Sequence, residues 1–239
     1  MQSISIIIPV LHEQERINGL IEHLKGQGAG FDFAQPTGVK GQEKQGVEII
    51  VVDGDPHGST IAAITDHEVA GITSIKGRGS QLAAGAEVAT GSIILMLHAD
   101  TLLPDGGLQP VTGAVANGTD WGAFRLGIDS PESAYRIIEW FVDLRCKLFA
   151  LPYGDQALFM TRTALDGIGG IPPQPLMEDV ELARRLHRRG CRFTLLLDRV
   201  QTSPRRWQKD GIVRRTLKNW WLLVRYLTGA DPAGLARRY

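Results

Sequence analysis

Short apolar runs of strand length alternate with segments of helical spacing through the first hundred residues. The apolar runs are residues 3–10, 47–53, 92–97 and, more weakly, 71–76. Between them, apolar residues recur at helical spacing at Ile17, Leu20, Ile21 and Leu24, and again at Leu82, Ala83, Ala86 and Ala89. The run 92–97 carries no charge, which is typical of a strand buried on both faces. Strands that alternate with helices form βαβ units, so the pattern predicts an α/β fold with a largely parallel sheet.

The second half of the chain shows fewer elements. Residues 121–128 alternate like a strand, residues 131–148 predict a helix that begins at a proline, and residues 157–160 predict a short strand. A Gly- and Pro-rich turn, 168–173, precedes a further helix that begins at Met177. Residues 27–46 are rich in Gly and Gln and poor in apolar side chains, so they predict a long, mobile surface loop.

Composition and charge narrow the class of protein. The chain has 26 basic and 26 acidic residues, but 15 Lys and Arg stand against three acids between Arg184 and Tyr239. Such a basic region suits a phosphate, an anionic membrane or nucleic acid, or simply solvates a helix that pairs with the acidic half; we expect no nucleic-acid partner. The chain opens on a predicted strand without an apolar leader, and no run of about 18 apolar residues occurs, so we expect a cytoplasmic protein.

Carboxylates stand where two of the predicted strands end. Asp53 closes the run 47–53, and His98 and Asp100 follow the run 92–97. Ligands of open α/β sheets bind at the carboxyl ends of the strands, so His98 and Asp100 are candidate metal or hydroxyl ligands. Asp also ends strands simply as a turn former, and that alternative stays open.

Glu178 and Asp179 begin a predicted helix directly after Met177. Acids in a first helical turn commonly complement the helix dipole. The preceding Gly-Gly-Ile-Pro-Pro turn indicates instead that the two carboxylates are aimed at a site, and we interpret them as functional.

Six short motifs occur in an order that is known from one enzyme family. They are Ile-Ile-Ile-Pro-Val-Leu-His-Glu (6–13), Val-Val-Asp (51–53), Gly-Arg-Gly (77–79), His-Ala-Asp (98–100), Gly-Gly (169–170) and Glu-Asp (178–179). In this respect the chain resembles the inverting family 2 glycosyltransferases of the GT-A fold. It resembles more closely the bacterial radical-SAM/selenodomain-associated transferases, to which segments 202–207 and 229–235 are similar. The resemblance covers nearly the whole chain except the 27–46 loop.

This resemblance implies a single GT-A domain over residues 1–239, Rossmann-like, with a mixed, mostly parallel sheet flanked by helices. Residues 1–100 would be the nucleotide-binding half, and residues 101–239 the acceptor-side half with a C-terminal amphipathic helix. The implied reaction is transfer of a sugar from a nucleotide-sugar donor, a UDP-sugar, to a hydroxyl acceptor.

The resemblance also implies a donor site. It places the nucleotide base against Pro9, Glu13 and Asp53, and a Mn²⁺ or Mg²⁺ ion at Asp100, where the ion would neutralise the departing diphosphate. The family usually has Asp-x-Asp where this chain has His98-x-Asp100. His98 is therefore a second metal ligand, a donor to a hydroxyl, or a core histidine with a backbone partner.

Three further side chains are candidates for the donor. Arg78, predicted on a Gly-flanked loop, contacts the base or a phosphate, or is an exposed loop charge. Arg206 and Trp207 resemble a shortened Gln-x-x-Arg-Trp signature, in which Arg206 would clamp the diphosphate and Trp207 would offer a flat face to a sugar. Ser203 stands at the glutamine position, which argues against a polymer-threading synthase.

Inversion requires a base that takes the proton of the acceptor hydroxyl. Asp179 matches the family's base position, and Glu178 lies beside it. Asp155, at another predicted strand edge, is a second candidate base or a holder of a donor-sugar hydroxyl.

The helix over residues 212–227 combines cations with a broad apolar face that includes Trp220 and Trp221. Such a helix docks on its own core or lies in a membrane interface. Contact with the inner membrane face would suit a lipid-linked acceptor rather than a small molecule.

Two other functions remain open. A nucleotide-binding or scaffolding protein with this fold but no turnover is favoured by His98 in place of the usual Asp. A sugar nucleotidyltransferase would normally show a longer Gly-rich N-terminal loop with a Lys, which residues 9–13 do not resemble.

Overall fold

The computed structural model describes residues 2–27, 31–33 and 46–237, with the side chain of Arg206 outside the described part. The strands are β1 (Ile4–Val10), β2 (Val47–Asp53), β3 (Ala70–Thr73), β4 (Ile93–Met96), β5 (Thr101–Leu102), β6 (Trp121–Ile128), β7 (Phe159–Thr161) and β8 (Phe193–Thr202). The helices are α1 (Ile17–Gln27), α2 (Arg78–Val88), α3 (Leu108–Ala116), α4 (Ser133–Phe149), α5 (Arg162–Gly167), α6 (Glu178–Arg188), α7 (Arg205–Asp210), α8 (Ile212–Leu227) and α9 (Pro232–Ala236). Short 3₁₀ turns lie at 61–63 and 154–156.

The eight strands form one mixed sheet in the order β3-β2-β1-β4-β7-β6-β8-β5. β1 pairs in parallel with β2 and β4, β2 with β3, and β6 with β8. β7 is antiparallel to both β4 and β6, and β5 is antiparallel to β8. The predicted α/β fold with a mixed, mostly parallel sheet is therefore confirmed, and the sheet spans both halves of the chain.

The central strands are covered on both faces, as their uninterrupted apolar runs predict. Every residue of β2 and β4 is buried. Ile6 and Ile8 of β1 pack in one cluster with Ile17 of α1, whereas Ile7 lies in a second cluster with Leu82 of α2. The strand alternation thus sends successive side chains to two separate cores.

Most predicted elements are present with shifted ends. The predicted strand 71–76 ends at Thr73, the predicted helix 131–148 covers Ser133–Phe149, and the predicted strand 157–160 covers Phe159–Thr161. Arg78 was expected on a loop, but it is the first residue of α2. Of the predicted loop 27–46, residues 28–30 and 34–45 lie outside the described residues, so that prediction is untested there.

β8 and α3 are absent from the sequence prediction. The first half of β8 is apolar, but its second half carries Asp198 and Arg199, which broke the apolar pattern. α3 contains Pro110 and Gly113, both poor helix formers, although Leu108 and Val111 are fully buried.

α8 docks on the body of the protein through one face. Its Leu222, Leu223 and Tyr226 pack with Leu176 and Val180 near the start of α6. Core docking, one of the two interpretations of this helix, is confirmed for that face. No helix among the described residues is long and apolar enough to cross a membrane.

Candidate functional site

Two adjoining clefts open at the carboxyl ends of β1 and β4. The first cleft has a volume of about 220 Å³ and is lined by Pro9, Val10, Leu11, Glu13, Arg78, Gln81, His98, Ala99 and Asp100. The second cleft has a volume of about 80 Å³ and is lined by Arg78, His98, Tyr153, Gly154, Asp155, Leu176, Met177, Asp179, Trp207, Arg215, Asn219 and Leu222. Arg78 and His98 line both clefts and form the boundary between them. The structure therefore gathers most of the predicted site residues around one shared boundary.

Arg78 lies at the centre of that boundary. Its Nε donates to Glu178 Oε1, and its Nη2 lies 3.9 Å from Asp179 Oδ2. Its Nη1 lies 3.5 Å from His98 Nε2. Burial alone would lower the pKa of Arg78, but the attraction of Glu178 and Asp179 outweighs it and raises the pKa. Arg78 is thus a fixed cation between two carboxylates and not an exposed loop charge.

Asp179 is held by backbone donors. Its Oδ2 accepts a hydrogen bond from the Gly154 N–H at 2.8 Å, and its Oδ1 accepts one from the Val180 N–H at 2.8 Å. A Cβ at position 154 would lie 2.7 Å from His98 Nε2, so only glycine lets the 154–156 turn approach this closely. Asp179, the turn and the His98 ring therefore form one tight contact.

Left-handed backbone conformations set the direction of the turn before α6. Gly169 and Gly170 have φ values of 80° and 84°, and Met177, the residue before Glu178, has a φ of 62°. A left-handed conformation at a non-glycine residue is costly, and such residues concentrate at functional sites. A Cβ at Gly79 would lie 2.7 Å from the Pro172 carbonyl oxygen, so the close approach at Gly79 is made by this turn.

Glu178 is almost completely buried, at 2% exposure. Burial raises the pKa of Glu178, the neighbouring Asp179 adds to that effect, and Arg78 opposes it. Its Oε2 atom has no hydrogen-bond partner among the described residues. A buried carboxylate with an unpartnered oxygen is costly, which makes Glu178 a strained member of the cluster.

The predicted nucleotide residues differ in their accessibility. Pro9 and Glu13 line the first cleft, and Glu13 pairs with Arg16 at 3.1 Å. Asp53 is fully buried, and its two oxygens accept hydrogen bonds from the Asp55 and Thr60 N–H groups at 2.9 and 2.8 Å. Asp53 thus holds the loop that follows β2, and in that loop the Thr60 hydroxyl oxygen accepts a hydrogen bond from the Glu13 N–H at 3.2 Å.

Pairing of β5 with β8 brings the segment 203–207 beside Asp100. The Ser203 N–H donates to the Asp100 carbonyl oxygen at 3.1 Å, and the Thr101 and Thr202 hydroxyls lie 3.2 Å apart. Trp207 lines the second cleft and packs edge-on against Tyr135, with ring centroids 6.2 Å apart. The side chain of Arg206 lies outside the described residues, so its predicted role is untested.

The clefts offer few donor groups for a metal ion. Among the described residues, no group of three or more His, Cys, Asp and Glu side chains could hold a metal ion. A cation that arrives on a diphosphate needs only one or two protein carboxylates, and Asp100 in the first cleft meets that need. The Arg78 guanidinium 3.5 Å from His98 Nε2 disfavours a second cation at that nitrogen. The metal role of His98 stays a prediction.

Sequence reasoning missed three polar residues of these clefts. Gln81 Nε2 donates to the Val10 and Val52 carbonyl oxygens, both at 2.7 Å, and ties the ends of β1 and β2 together. Arg215 and Asn219 of α8 line the second cleft, and Arg215 pairs with Asp210 at 3.1 Å. Helical periodicity could have placed Arg215 and Asn219 on one face, but only the docking of α8 shows what that face meets.

Comparison with known proteins gives a family match. The family model described as Glycosyl transferase family 2 matches residues 5–166. No curated protein sequence matches the chain.

Solved structures share the fold at low identity. One is the mannosyltransferase PcManGT from Pyrobaculum calidifontis in complex with GDP-Man and Mn²⁺, with 16% identity, a TM-score of 0.63, and coverage of 83% of this chain and 56% of that one. Another is TarS from S. aureus, with 16% identity, a TM-score of 0.60, and coverage of 85% and 61%. TarS in complex with UDP-GlcNAc is similar at a TM-score of 0.59, with 16% identity and coverage of 85% and 58%. The chain thus spans little more than half the length of these proteins, and at this identity the likeness shows the fold alone.

Proposed function

Because the chain belongs to glycosyl transferase family 2, we propose that it transfers a sugar from a nucleotide-sugar donor to the hydroxyl of an acceptor, with inversion at the anomeric carbon. The observation that carries this proposal is the pair of clefts that share Arg78 and His98. One cleft opens at the end of β1, where α/β sheets bind ligands, and the other is bounded by Asp179. A donor and an acceptor in these clefts would meet at the shared wall.

The donor is assigned to the first cleft, with its base near Pro9 and Glu13. Asp53 would act through the loop that it holds by its Asp55 and Thr60 hydrogen bonds. Complexes of structural neighbours with GDP-Man and UDP-GlcNAc support a nucleotide sugar. We propose a UDP-sugar.

Asp100 would hold a Mn²⁺ or Mg²⁺ ion, and the Mn²⁺ complex of one neighbour supports such an ion. When bound, the ion supplies positive charge that stabilises the departing diphosphate. Arg78, a permanent cation at the edge of both clefts, would add to that stabilisation. We assign His98, whose Nε2 faces Arg78 and Gly154, to a hydroxyl of the sugar, and its role as a second ligand of the ion stays a prediction.

Asp179 is the proposed base. The acceptor oxygen forms a bond to the anomeric carbon as its proton passes to the Asp179 carboxylate, and the bond from that carbon to the diphosphate oxygen breaks. Backbone donors from Gly154 and Val180 fix the carboxylate in one orientation, which positions it for this transfer. Asp155 lines the same cleft and would hold a sugar hydroxyl or serve as a second base. Glu178 would position Arg78 through their ion pair.

The remaining assignments lie around these groups. Trp207 offers a face to a sugar at the second cleft, and Arg206 would clamp the diphosphate from the same helix. The division into a nucleotide-binding half and an acceptor-side half, membership of the radical-SAM/selenodomain-associated subgroup, and a cytoplasmic location with peripheral membrane contact through 212–227 stay predictions.

A nucleotide-binding scaffold without turnover is the second candidate. Its support is the guanidinium that faces His98 Nε2, because the usual second carboxylate is replaced here by a side chain next to a cation. Turnover distinguishes the two functions.

We expect Asp179→Asn to lower the rate of sugar transfer from UDP-sugars by about 10²–10⁴-fold, because the amide cannot accept the proton of the acceptor hydroxyl. UDP binding should be unchanged, since Asp179 lies on the wall of the second cleft. Release of UDP in a coupled assay and calorimetric UDP binding measure the two effects. Asp166→Asn, on the exposed side of α5, is the matched control. Full turnover by Asp179→Asn would contradict the assignment of the base.

A further inference from the structure

An apolar groove of about 680 Å³ lies between α4 and α8. Ile137 and Phe141 of α4 form one wall, and Leu217 and Trp220 of α8 form the other. Its volume falls within the range of about 300–1,000 Å³ that is usual for small-molecule sites. The groove is therefore large enough for an apolar ligand, and none of its lining residues belongs to the first cleft.

The groove opens into the second cleft. Tyr153, Asp155, Trp207 and Asn219 line both cavities. A molecule whose apolar part lies in the groove would reach the second cleft, on whose wall Asp179 lies, with its polar end. This continuity connects the groove to the proposed acceptor side and not to the first cleft, which contains none of these four residues.

The surface around the groove is apolar and cationic. The outward side chains of α4 and α8 include Trp140, Phe141, Trp220 and Trp221, which are between 44% and 59% exposed. Neighbouring apolar side chains left exposed on a folded protein mark an interaction surface. We call this surface, formed by the outward sides of α4 with Trp140 and Phe141 and of α8 with Trp220 and Trp221, the aromatic face.

Charge on the aromatic face has one sign. α8 contains Arg214, Lys218 and Arg225 but no Asp or Glu. The two acids within α4, Glu139 and Asp143, are buried, and both lie near Arg199 at 3.8 and 3.2 Å. The exposed side of both helices thus combines aromatic and basic side chains, which is typical of surfaces that lie in the headgroup region of an anionic membrane.

A second copy of the chain fits this surface poorly. A self-complementary contact through the aromatic face would bring Arg214 and Arg225 of the two copies near one another without an exposed carboxylate from α4 or α8. Like charges that face each other oppose association. An aliphatic chain in the groove, with anionic headgroups around its mouth, satisfies both the apolar lining and the charge.

We propose that the acceptor is an amphiphile whose aliphatic chain occupies the groove between α4 and α8, while the aromatic face rests on an anionic membrane. The proposal rests on the proposed function, because the hydroxyl of the acceptor head must reach Asp179. That hydroxyl oxygen forms the new bond to the sugar, its proton passes to the Asp179 carboxylate, and the nucleoside diphosphate leaves with the electrons of the broken bond.

Vesicle sedimentation tests the membrane contact of the full chain. We expect binding to phosphatidylcholine vesicles that contain phosphatidylglycerol and weaker binding to phosphatidylcholine alone. Leu217→Glu places a carboxylate at the mouth of the groove and should weaken binding by about tenfold or more, because charge and apolar contact are both lost. Leu197→Glu, the same change at an exposed leucine of β8, should bind like the unchanged chain. Absence of vesicle binding, or equal losses in both variants, would overturn the proposal.

Calorimetry with dodecyl maltoside, below its micelle concentration, tests the groove. We expect dodecyl maltoside to bind and maltose to bind far more weakly, because only the former carries an aliphatic chain. Ala134→Phe fills part of the groove without changing a charge and should weaken dodecyl maltoside binding, whereas Leu197→Glu should not. Equal binding of dodecyl maltoside and maltose, or unchanged binding of dodecyl maltoside by Ala134→Phe, would contradict the placement of an aliphatic chain in the groove.

Two further readouts separate the possible failures. Calorimetric UDP binding in the presence of Mn²⁺ should be the same in Leu217→Glu as in the unchanged chain, because the first cleft contains neither α8 nor α4 residues. Absence of UDP binding by the unchanged chain, with vesicle and dodecyl maltoside binding intact, would reject the proposed sugar transfer and leave only a lipid-binding surface. A dimer that Leu217→Glu dissociates in light scattering, without vesicle binding, would show that the aromatic face binds a second copy and would overturn the lipid proposal.

Discussion

Arg78 connects the two chemical halves of the site. It is the first residue of α2, yet its guanidinium reaches Glu178 and Asp179 at the start of α6 and His98 after β4. A cation placed here offsets the two adjacent carboxylates and stays charged at any working pH. Removal of Arg78 would leave the buried carboxylates of Glu178 and Asp179 side by side without a cation. Arg78 therefore contributes to the stability of the fold as well as to the proposed chemistry.

Glu178 predicts a pH dependence of stability. Burial, together with Asp179, raises the pKa of Glu178 above its ordinary value of 4.5, against the opposing effect of Arg78. A carboxyl whose pKa is higher in the folded chain binds more protons when folded, so its stabilising contribution is present below pH 4.5 and is lost as the pH rises through the folded-state value. The free energy of unfolding of Glu178→Gln, relative to the unchanged chain, should therefore increase as the pH rises from 4.5 toward neutrality.

Denaturant unfolding over this pH range measures the difference. Glu132→Gln, at an exposed position before α4, is the matched control for the loss of one carboxylate. A difference between Glu178→Gln and the unchanged chain that is constant with pH, or that moves in the opposite direction, would contradict the role of burial.

At the scale of single residues, strand ends were the predictable part of the site. Asp100 and His98 follow an apolar run, and Glu178 and Asp179 follow a Gly-Pro turn, so local pattern alone singled them out. Arg215 and Gln81 carry no such local mark, because their partners come from distant segments: Arg215 meets the second cleft only when α8 docks, and Gln81 bridges two strands.

Between elements, close backbone approach fixes the site. α2 meets the turn before α6 at Gly79, and the 154–156 turn meets His98 at Gly154, in both cases where a Cβ would collide. Each contact brings together chain segments that are far apart in sequence. The positions of Asp179 and Arg78 are therefore set by rigid elements and not by mobile side chains alone.

α7 is anchored by Trp207. This side chain is 9% exposed and packs with Leu126, Ile128 and Tyr135. We expect Trp207→Ala to lower the free energy of unfolding by about 3–5 kcal/mol, the usual cost of truncating a buried aromatic side chain. Trp140→Ala removes the same side chain from the exposed face of α4, at 59% exposure, and should cost less than about 1 kcal/mol. Guanidinium unfolding compares the two, and equal losses would show that Trp207 does not anchor the helix.

Elements with a regular pattern were predictable, and elements fixed by pairing were not. The central strands β1, β2 and β4 are uninterrupted apolar runs, and α4 and α6 begin at Pro- and Gly-marked turns. β8 carries charges in its second half because that half is partly exposed, and it is held by pairing with β6. β5 is only two residues long and exists through its pairing with β8. No local pattern encodes either of these pairings.

Across the whole molecule, the clefts and the groove form one continuous path. The first cleft lies at the ends of β1 and β4, the second follows across Arg78 and His98, and the groove between α4 and α8 continues from Tyr153 and Trp207. Along this path the first cleft suits the donor, the second cleft suits the reacting groups, and the groove suits the aliphatic tail of the acceptor. The sequence predicted the first two parts through motifs, whereas the groove arises from two amphipathic helices that pack side by side.

The proposed function requires a metal-linked nucleotide site beside Asp100. Calorimetric titration of the full chain with UDP, GDP, CMP and dTDP, with and without Mn²⁺, tests it most directly. We expect UDP to bind in the presence of Mn²⁺, and Asp100→Ala to weaken that binding by about tenfold or more, because the carboxylate that holds the cation is gone. If no nucleotide binds in a metal-dependent manner to the unchanged chain, the first cleft is not a donor site and the glycosyltransferase account is contradicted.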